Sequence, residues 1–262
     1  MARANRHHIP GQVWHITHRC HKQEFLLKFA RDRERWLHWL LEAKKRFGLD
    51  ILNYTVTSNH VHLLVQDRDS DVIPSSIQLV AGRTAQEYNR RKQRKGAFWE
   101  DRYHATAVES GAHLLRCLVY IDLNMVRNGV VSHPSAWRHG GYNEIQAPPK
   151  RDRLIDREKL IACCDLGSDA ALVACHREAV EDTMSGARNV RQPEWTQALA
   201  VGSEGFVNDV RSRLGIRARG RQVEQEAGHH MLREPDVPYE ALFGPESDPL
   251  TAENRYSWET IS

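Results

Sequence analysis

The spacing of apolar residues changes repeatedly along the first half of the chain, and each spacing predicts its own kind of element. Alternating apolar and polar positions are typical of half-buried strands, whereas apolar positions every three or four residues are typical of amphipathic helices. Gly48 and Pro74 stand where one helix would end and another begin, and Ser58-Asn59 has turn chemistry. The predicted elements, in chain order, are a strand over 11–20, a helix over 29–47, strands over 49–57 and 60–66, a helix over 74–94, a strand over 103–109 and a helix over 111–127.

This order, β-α-β-β-α-β-α, predicts an α+β fold: a ferredoxin-like (RRM-like) antiparallel sheet with helices on one face. The pattern changes after Trp137, where "QAPPKRDRL" has the composition of a linker. We therefore predict one domain over 1–146 and a helical C-terminal extension over 147–262. Within the extension we expect helices over 154–162, 170–184 and 206–214, a basic glycine-broken hinge at "RARGRQVE" and an acidic, loosely ordered tail.

Composition is that of an ordinary globular protein, but the charges are unevenly distributed. Of 262 residues, 40% are hydrophobic and 27% are charged, and the net charge is +3. Residues 83–104 contain seven Lys or Arg against three acids, whereas residues 234–262 contain seven acids and one base. The basic segment indicates an anionic ligand in the middle of the chain, with a solvated helix face as the plain alternative.

The cysteine pattern predicts a cytoplasmic protein. Five cysteines, an odd number without a Cys-x-x-Cys pair, favour reduced thiols. Apolar runs fall short of the ~20 residues that a membrane helix needs, so no membrane partner is expected. A monomer and a homodimer are both compatible with the sequence.

Two histidines, His60 and His62, lie one residue apart in the predicted strand "HVHLLVQ". Because side chains alternate across a strand, both imidazoles lie on one face, and Val61, Leu63 and Val65 lie on the other. Two imidazoles on one face can hold a cation, although a histidine pair at a sheet rim is commonly structural.

Two classes of hydrolase that use more than one histidine are alternatives to a metal site. A histidine-triad hydrolase needs a third histidine two positions on, but residue 64 is leucine. A metal-independent phosphoesterase would place two His-x-Thr motifs on adjacent strands, with one histidine as acid and the other as base. The residues that fit this second pattern are His15, Thr17, His104 and Thr106.

The third predicted helix carries Tyr120 and Asn124 four residues apart, so both side chains lie on one helical face. Asn124 could complete a ligand set with His60 and His62, and Tyr120 could present its oxygen to a phosphate. A core tyrosine and a helix-end amide are the structural alternative. Three further tyrosines are rival nucleophiles: Tyr54, Tyr88 and Tyr103.

Together, "NHVHLL" and, about sixty residues later, "YIDLNMVRNG" resemble the HUH endonuclease superfamily, named for a His-hydrophobic-His motif, and especially its REP-associated tyrosine transposases. The segments "GQVWHITHRC" and "NRRKQRKGAFWEDRYHATAVES" resemble the family's first strand and its basic helix end with the strand that follows. The segments "PEWTQALAVGSEGFV", "RARGRQVE" and "REPDVPYEALFGPESDPL" resemble the C-terminal extension of longer members. The family usually has Asn-Pro-Val where this chain has Asn124-Met125-Val126.

The resemblance implies that residues 1–146 are the catalytic domain of a single-stranded DNA endonuclease and strand transferase that cleaves near hairpins such as REP-like palindromes. His60, His62 and Asn124 would bind Mg²⁺ or Mn²⁺, and Tyr120 would form a covalent 5′-phosphotyrosine. A domesticated protein that binds hairpins without cleaving them is the alternative within this family.

Basic and aromatic residues are the candidates for DNA contacts, the basic ones along the backbone and the aromatic ones on unpaired bases. For Trp99 and Phe98, packing under the sheet is the alternative. The candidate DNA-binding residues are Arg3, Arg6, Arg83, Arg90, Arg91, Arg94, Lys95, Trp99 and Arg102.

Overall fold

The computed structural model describes residues 9–69, 71–186, 192–226 and 228–234. The strands in these ranges are β1 Val13–Arg19, β2 Asp50–Val56, β3 His60–Gln66, β4 His104–Val108, β5 Ala200–Gly202, β6 Gln222–Glu226 and β7 His229–Arg233. The α-helices are α1 Ala30–Phe47, α2 Val72–Lys92, α3 Ala112–Asp122, α4 Asn124–Arg127, α5 Tyr142–Gln146, α6 Arg157–Cys163, α7 Asp169–Ser185, α8 Glu194–Gln197 and α9 Glu204–Leu214. No helix in the described ranges has the length and apolar character that crossing a membrane requires.

All the strands belong to one sheet, in the order β2-β3-β1-β4-β5-β7-β6. The first four strands pair antiparallel with each other. The register sets Thr17 of β1 opposite His62 of β3 on one side and His104 of β4 on the other, so these three side chains share a face. The predicted α+β class and its ferredoxin-like antiparallel core are confirmed.

Helices α1 and α2 pack on the face that carries the apolar side chains of β3. Trp36 of α1 and Ile77 of α2 line the same small apolar space as Val61 and Leu63. The prediction that these valine and leucine side chains point into the core is confirmed, because both are almost fully buried.

Helix α3 lies on the opposite face, which differs from the predicted arrangement of all helices on one face. Asn53 of β2 donates to the Leu118 carbonyl at 3.4 Å, and Thr55 donates to the Ile121 carbonyl at 3.2 Å. The helix is apolar on most of its circumference and is buried along its length. A helix of this kind needs cover on both sides, and it lies between the sheet and the C-terminal extension.

The predicted helix over 111–127 is interrupted. Helix α3 ends at Asp122 and α4 begins at Asn124, because Leu123 has a ψ angle of 0° rather than a helical value. The Leu123 amide still donates to the Val119 carbonyl at 2.9 Å, so the break is a local bend. The break falls between Tyr120 and Asn124 and sets the direction of the second relative to the first.

The C-terminal extension combines the predicted helices with three strands that the sequence did not predict. Helices α6, α7 and α9 each begin after a side-chain cap, provided by Asp156, Ser168 and Ser203. The predicted hinge at "RARGRQVE" is wrong, because its second half begins β6. Strands this short, with the polar sequence "QVEQE" in β6, carry no apolar periodicity that a sequence pattern could reveal.

Strand β5 pairs in parallel with β4, so the sheet continues past the predicted domain boundary at residue 146. That boundary stays a prediction. The predicted acidic tail covers residues 234–262, and all of it except Glu234 lies outside the described residues.

Candidate active site

A cleft of about 600 Å³ opens on the α3 face of the sheet. Strand β3 contributes His60 and His62, and the bend between α3 and α4 contributes Tyr120 and Asn124. The structure therefore brings all four residues of the predicted catalytic and metal-binding set to one cleft. Their individual roles stay predictions.

Three side chains converge at the floor of the cleft. The Nε2 atoms of His60 and His62 are 3.1 Å apart, and the Asn124 amide nitrogen is 3.0 Å from His62 Nε2. The Asn124 oxygen accepts from Asn128 Nδ2 at 3.2 Å, and a half-turn of this amide would exchange that contact and bring the oxygen to the same point as the two Nε2 atoms. Two imidazole nitrogens and an amide oxygen at one point are a donor set for a divalent cation.

Each imidazole is oriented by a hydrogen bond at its other nitrogen. Nδ1 of His60 lies 2.7 Å from Asn59 Oδ1 and 3.0 Å from Thr57 Oγ1. Nδ1 of His62 lies 2.9 Å from Nε2 of His15, a residue on the neighbouring strand. In both histidines Nδ1 is therefore engaged with protein and Nε2 faces the cleft.

Burial keeps the inner histidines neutral. Burial lowers the pKa of His62 well below its ordinary value, and the neighbouring His60 lowers it further. Burial likewise lowers the pKa of His15 to about 3. Neutral imidazole is the form of histidine that binds metal ions.

The donor chemistry fits a hard or borderline divalent cation. Among the described residues, no group of three or more His, Cys, Asp or Glu side chains is arranged to hold a metal ion. The candidate set here differs from such groups because its third member is the amide of Asn124. Open positions beside a mixed imidazole and amide set suit an ion that also binds water or phosphate.

The Tyr120 ring lies beside the histidines and beneath a guanidinium group. Its centroid is 5.9 Å from that of His62, with the rings perpendicular. The guanidinium carbon of Arg127 lies 4.2 Å from the Tyr120 ring centroid, and Nη2 of Arg127 donates to the Tyr120 carbonyl at 2.6 Å. Tyr120 is only 6% exposed, yet it lines the cleft.

The cleft is also lined by Arg19 and Arg127, two arginines that the sequence patterns did not identify as candidate site residues. Arg127 follows Asn124 by three residues, so helical spacing was a usable signal. Arg19 ends β1 opposite His60, and only the strand register reveals that proximity. Together the two guanidinium groups give the cleft a positive charge beside the candidate nucleophile.

The two His-x-Thr motifs meet, but neither of their histidines lines the cleft. His15 and Thr106 are fully buried and both contact the Trp195 carbonyl, at 2.8 and 3.2 Å. Nε2 of His104 lies 2.9 Å from the Ala198 carbonyl. These contacts dock the segment around α8 onto β1 and β4, so the geometry does not favour the metal-independent phosphoesterase.

The candidate DNA-binding residues are spread around the end of α2. Among them, Arg83, Arg90, Lys95 and Arg102 are exposed. Arg91 and Arg94 contact carboxylates of the protein. Arg91 pairs with Asp32, and Arg94 lies 3.6 Å from Glu24. Arg3 and Arg6 lie outside the described residues.

Trp99 packs against the sheet on the face away from the cleft. Its ring stacks on His18 with centroids 4.1 Å apart, and its indole nitrogen donates to the Ala81 carbonyl at 3.0 Å. Phe98 is buried beside it. Both aromatic residues therefore pack under the sheet, which was the alternative to a contact with DNA. A DNA contact by Trp99 stays a prediction.

The rival tyrosines lie among other partners. The Tyr54 hydroxyl donates to Glu144 at 3.1 Å. Tyr88 packs edge-to-face on Phe98, and Tyr103 is buried near His18. Of the tyrosines in the described ranges, Tyr120 is the one that lines the cleft with the paired histidines.

Two solved structures resemble the chain. A REP-associated tyrosine transposase bound to a REP hairpin is 18% identical with a TM-score of 0.47, covering 55% of this chain and 84% of that one. A candidate transposase from Deinococcus radiodurans R1 is 16% identical with a TM-score of 0.33, covering 45% of this chain and 92% of that one. No curated protein matches the chain.

The family comparison covers the segment that contains β1 to β4 and α1 to α3. Residues 11–124 match the family described as "Transposase IS200 like". The match begins just before β1 and ends at Asn124, so it includes the paired histidines and Tyr120. Within residues 11–124, this chain is therefore similar in sequence to the IS200-like transposases.

Proposed function

We propose that this protein is a metal-dependent endonuclease and strand transferase that acts on single-stranded DNA near hairpins, with Tyr120 as its nucleophile. The observation that carries the proposal is the shared cleft of Tyr120, Asn124, His60 and His62 within a transposase-family segment. The substrate would be single-stranded DNA with a REP-like hairpin.

The proposed metal site consists of the Nε2 atoms of His60 and His62 and the amide oxygen of Asn124. Mg²⁺ or Mn²⁺ bound there would polarise a phosphodiester oxygen and neutralise charge that develops on it. The chain's contribution is to hold the three donors at one point, with the imidazole of His62 kept neutral by burial. The support is the 3.1 Å separation of the two Nε2 atoms, which is short enough for both nitrogens to reach one cation.

In the proposed reaction, the phenol oxygen of Tyr120 attacks a DNA phosphorus in line with the departing 3′-oxygen. Tyr120 gives up its phenolic proton as a phosphorus–oxygen bond to tyrosine forms and the bond to the 3′-oxygen breaks. The departing oxygen takes up a proton and leaves as a 3′-hydroxyl, so the step neither gains nor loses a proton overall. The bond energy is retained in the 5′-phosphotyrosine. A second 3′-hydroxyl can then displace tyrosine and join the strands.

Arg127 and Arg19 are proposed to bind the phosphate next to Tyr120. Arg127 is partly buried, and a guanidinium stays protonated there because its ordinary pKa is far above neutrality. Its position over the Tyr120 ring also disfavours rotation of that ring away from the cleft. The exposed basic side chains at the end of α2 would contact the DNA backbone beyond the cleft.

A denaturing gel with a labelled single-stranded hairpin oligonucleotide tests the proposal. With Mn²⁺ present we expect a covalent protein–DNA adduct, and with EDTA we expect none. Tyr120→Phe should abolish the adduct while leaving hairpin binding in a native gel unchanged. Tyr54→Phe is the matched control, because it removes a buried phenol hydroxyl outside the cleft, and it should retain the adduct.

Two results would contradict the assignment. An adduct that persists in Tyr120→Phe would place the nucleophile elsewhere. Hairpin binding by the wild-type protein without any cleavage in Mn²⁺ would indicate a domesticated binding protein instead.

A further inference from the structure

We propose that His15 and the backbone carbonyl of Trp195 form a positioning relay that fixes which nitrogen of His62 carries the proton, and so prepares His62 to bind a metal ion. The relay would make the C-terminal extension part of the catalytic metal site. This inference rests on the proposed metal-binding function of His62.

The direction of each hydrogen bond follows from the one carbonyl at the end of the chain of contacts. A carbonyl oxygen only accepts, so Nδ1 of His15, 2.8 Å from the Trp195 oxygen, carries a proton. Burial of His15 disfavours its charged form, which leaves Nε2 as an acceptor. Nδ1 of His62, 2.9 Å from that acceptor, must then donate, and Nε2 of His62, which faces the cleft, is left as the acceptor nitrogen of the ring.

The geometry of the relay leaves the two rings little freedom. The imidazoles of His15 and His62 are stacked with centroids 5.1 Å apart and planes 15° apart. His15 is 0% exposed and His62 is 2% exposed. Trp195, itself fully buried, is anchored by its indole nitrogen, which donates to Gln192 at 2.8 Å.

The two candidate ligands are oriented by different parts of the chain. His60 is held by Asn59 and Thr57, neighbours in its own turn. His62 is held through His15 by a residue that lies far along the chain in α8, beyond the family-matched segment 11–124. The relay therefore couples docking of the extension to the readiness of the site to take a cation.

The tautomer of His62 is measurable in the wild-type protein without metal or DNA. Long-range ¹H–¹⁵N spectra of the imidazole side chains, with the His62 signals assigned by their loss in His62→Gln, distinguish protonation at Nδ1 from protonation at Nε2. We expect Nδ1–H. A metal-free wild-type protein with Nε2–H at His62 would overturn the relay, whether or not any variant folds.

Metal affinity tests the same relay from the other side. In calorimetric titrations with Mn²⁺ and no DNA, His15→Met should bind about 10- to 100-fold more weakly than wild type, the loss typical when a partner of a metal ligand is removed. His15→Gln restores an acceptor for Nδ1–H of His62 and should recover most of the affinity. The titration reports on binding alone and does not depend on cleavage.

His18→Met is the matched control. His18 lies on the same strand, faces the opposite side of the sheet, contacts a backbone carbonyl at 2.9 Å and stacks on an aromatic ring. The His18→Met variant should bind Mn²⁺ with the same affinity as the wild-type protein. Equal affinities in wild type and His15→Met would overturn the relay alone, whereas wild-type protein that binds no Mn²⁺ would overturn the proposed metal site together with it.

Discussion

At the scale of single residues, Arg127 places a guanidinium group in the cleft next to the candidate nucleophile Tyr120. It lies on the last turn of α4, with its guanidinium over the ring of Tyr120 and one nitrogen on the Tyr120 carbonyl. A charged group at this position would stabilise a phosphate as tyrosine attacks it. Loss of the Arg127 charge should therefore lower the rate at which the covalent protein–DNA adduct forms.

We expect Arg127→Met to slow adduct formation by about 10²-fold, the loss typical when one stabilising donor is removed from a reacting centre. Rates would be measured under single turnover with excess protein on a hairpin oligonucleotide. Arg116→Met is the control, because Arg116 lies on α3 and contacts His229 at 3.1 Å instead of the cleft. A rate unchanged by Arg127→Met would remove Arg127 from the proposed phosphate contact.

The residue pattern predicted which side chains meet, but not every role. The shared face of His60 and His62 follows from strand alternation, and that of Tyr120 and Asn124 from helical spacing. In the sequence, His15 stands out only as part of the alternative phosphoesterase motif. Its contacts with His62 and Trp195 depend on strand register and on a segment distant in sequence, which no local pattern contains.

At the scale of elements, the end of α1 illustrates how one residue type terminates a helix. Gly48 has a φ angle of +71°, in the left-handed region, and its amide donates to the Lys44 carbonyl at 2.9 Å. A side chain at this φ angle is strained, whereas glycine is not. The sequence predicted this helix end correctly, because Gly48 directly follows the last apolar position of α1.

We expect Gly48→Ala to lower the free energy of unfolding by about 1 kcal/mol because alanine is strained in the left-handed region. Gly82→Ala is the matched substitution inside α2, where a Cβ atom would meet nothing within 4 Å. It should raise the free energy of unfolding by about 0.5–1 kcal/mol through helix propensity. Equilibrium urea unfolding compares the two, and changes of the same sign would contradict the helix-end role of Gly48.

At the scale of the whole molecule, a buried polar network joins the C-terminal extension to β2 and α3. Nε2 of His176 on α7 lies 2.7 Å from Asp122 at the end of α3, and both side chains are fully buried. Asn53 of β2 donates to the other carboxylate oxygen at 3.1 Å, and Gln146 lies 3.0 Å from the second imidazole nitrogen. The network holds α3 between sheet and extension.

We expect His176→Leu to destabilise the protein by about 3 kcal/mol, because it leaves a carboxylate buried without its partner. His133→Leu removes another contact between a histidine and a carboxylate, 3.1 Å from Glu181, but that glutamate is 57% exposed. Its cost should be below about 1 kcal/mol. Urea unfolding monitored by tryptophan fluorescence gives both values, and similar costs would contradict the importance of the buried pair.

The sequence by itself determined the properties that depend on a few neighbouring residues: the succession of strands and helices over residues 11–124, the shared face of His60 and His62, and the shared face of Tyr120 and Asn124. Only the tertiary structure decided that α3 covers the histidine face, that the sheet continues through β5 to β7, and that the extension reaches His62 through His15. Periodicity is a local property of the backbone. Strand register, the cover of an apolar helix and hydrogen bonds between distant segments depend instead on which surfaces the whole chain can bury together.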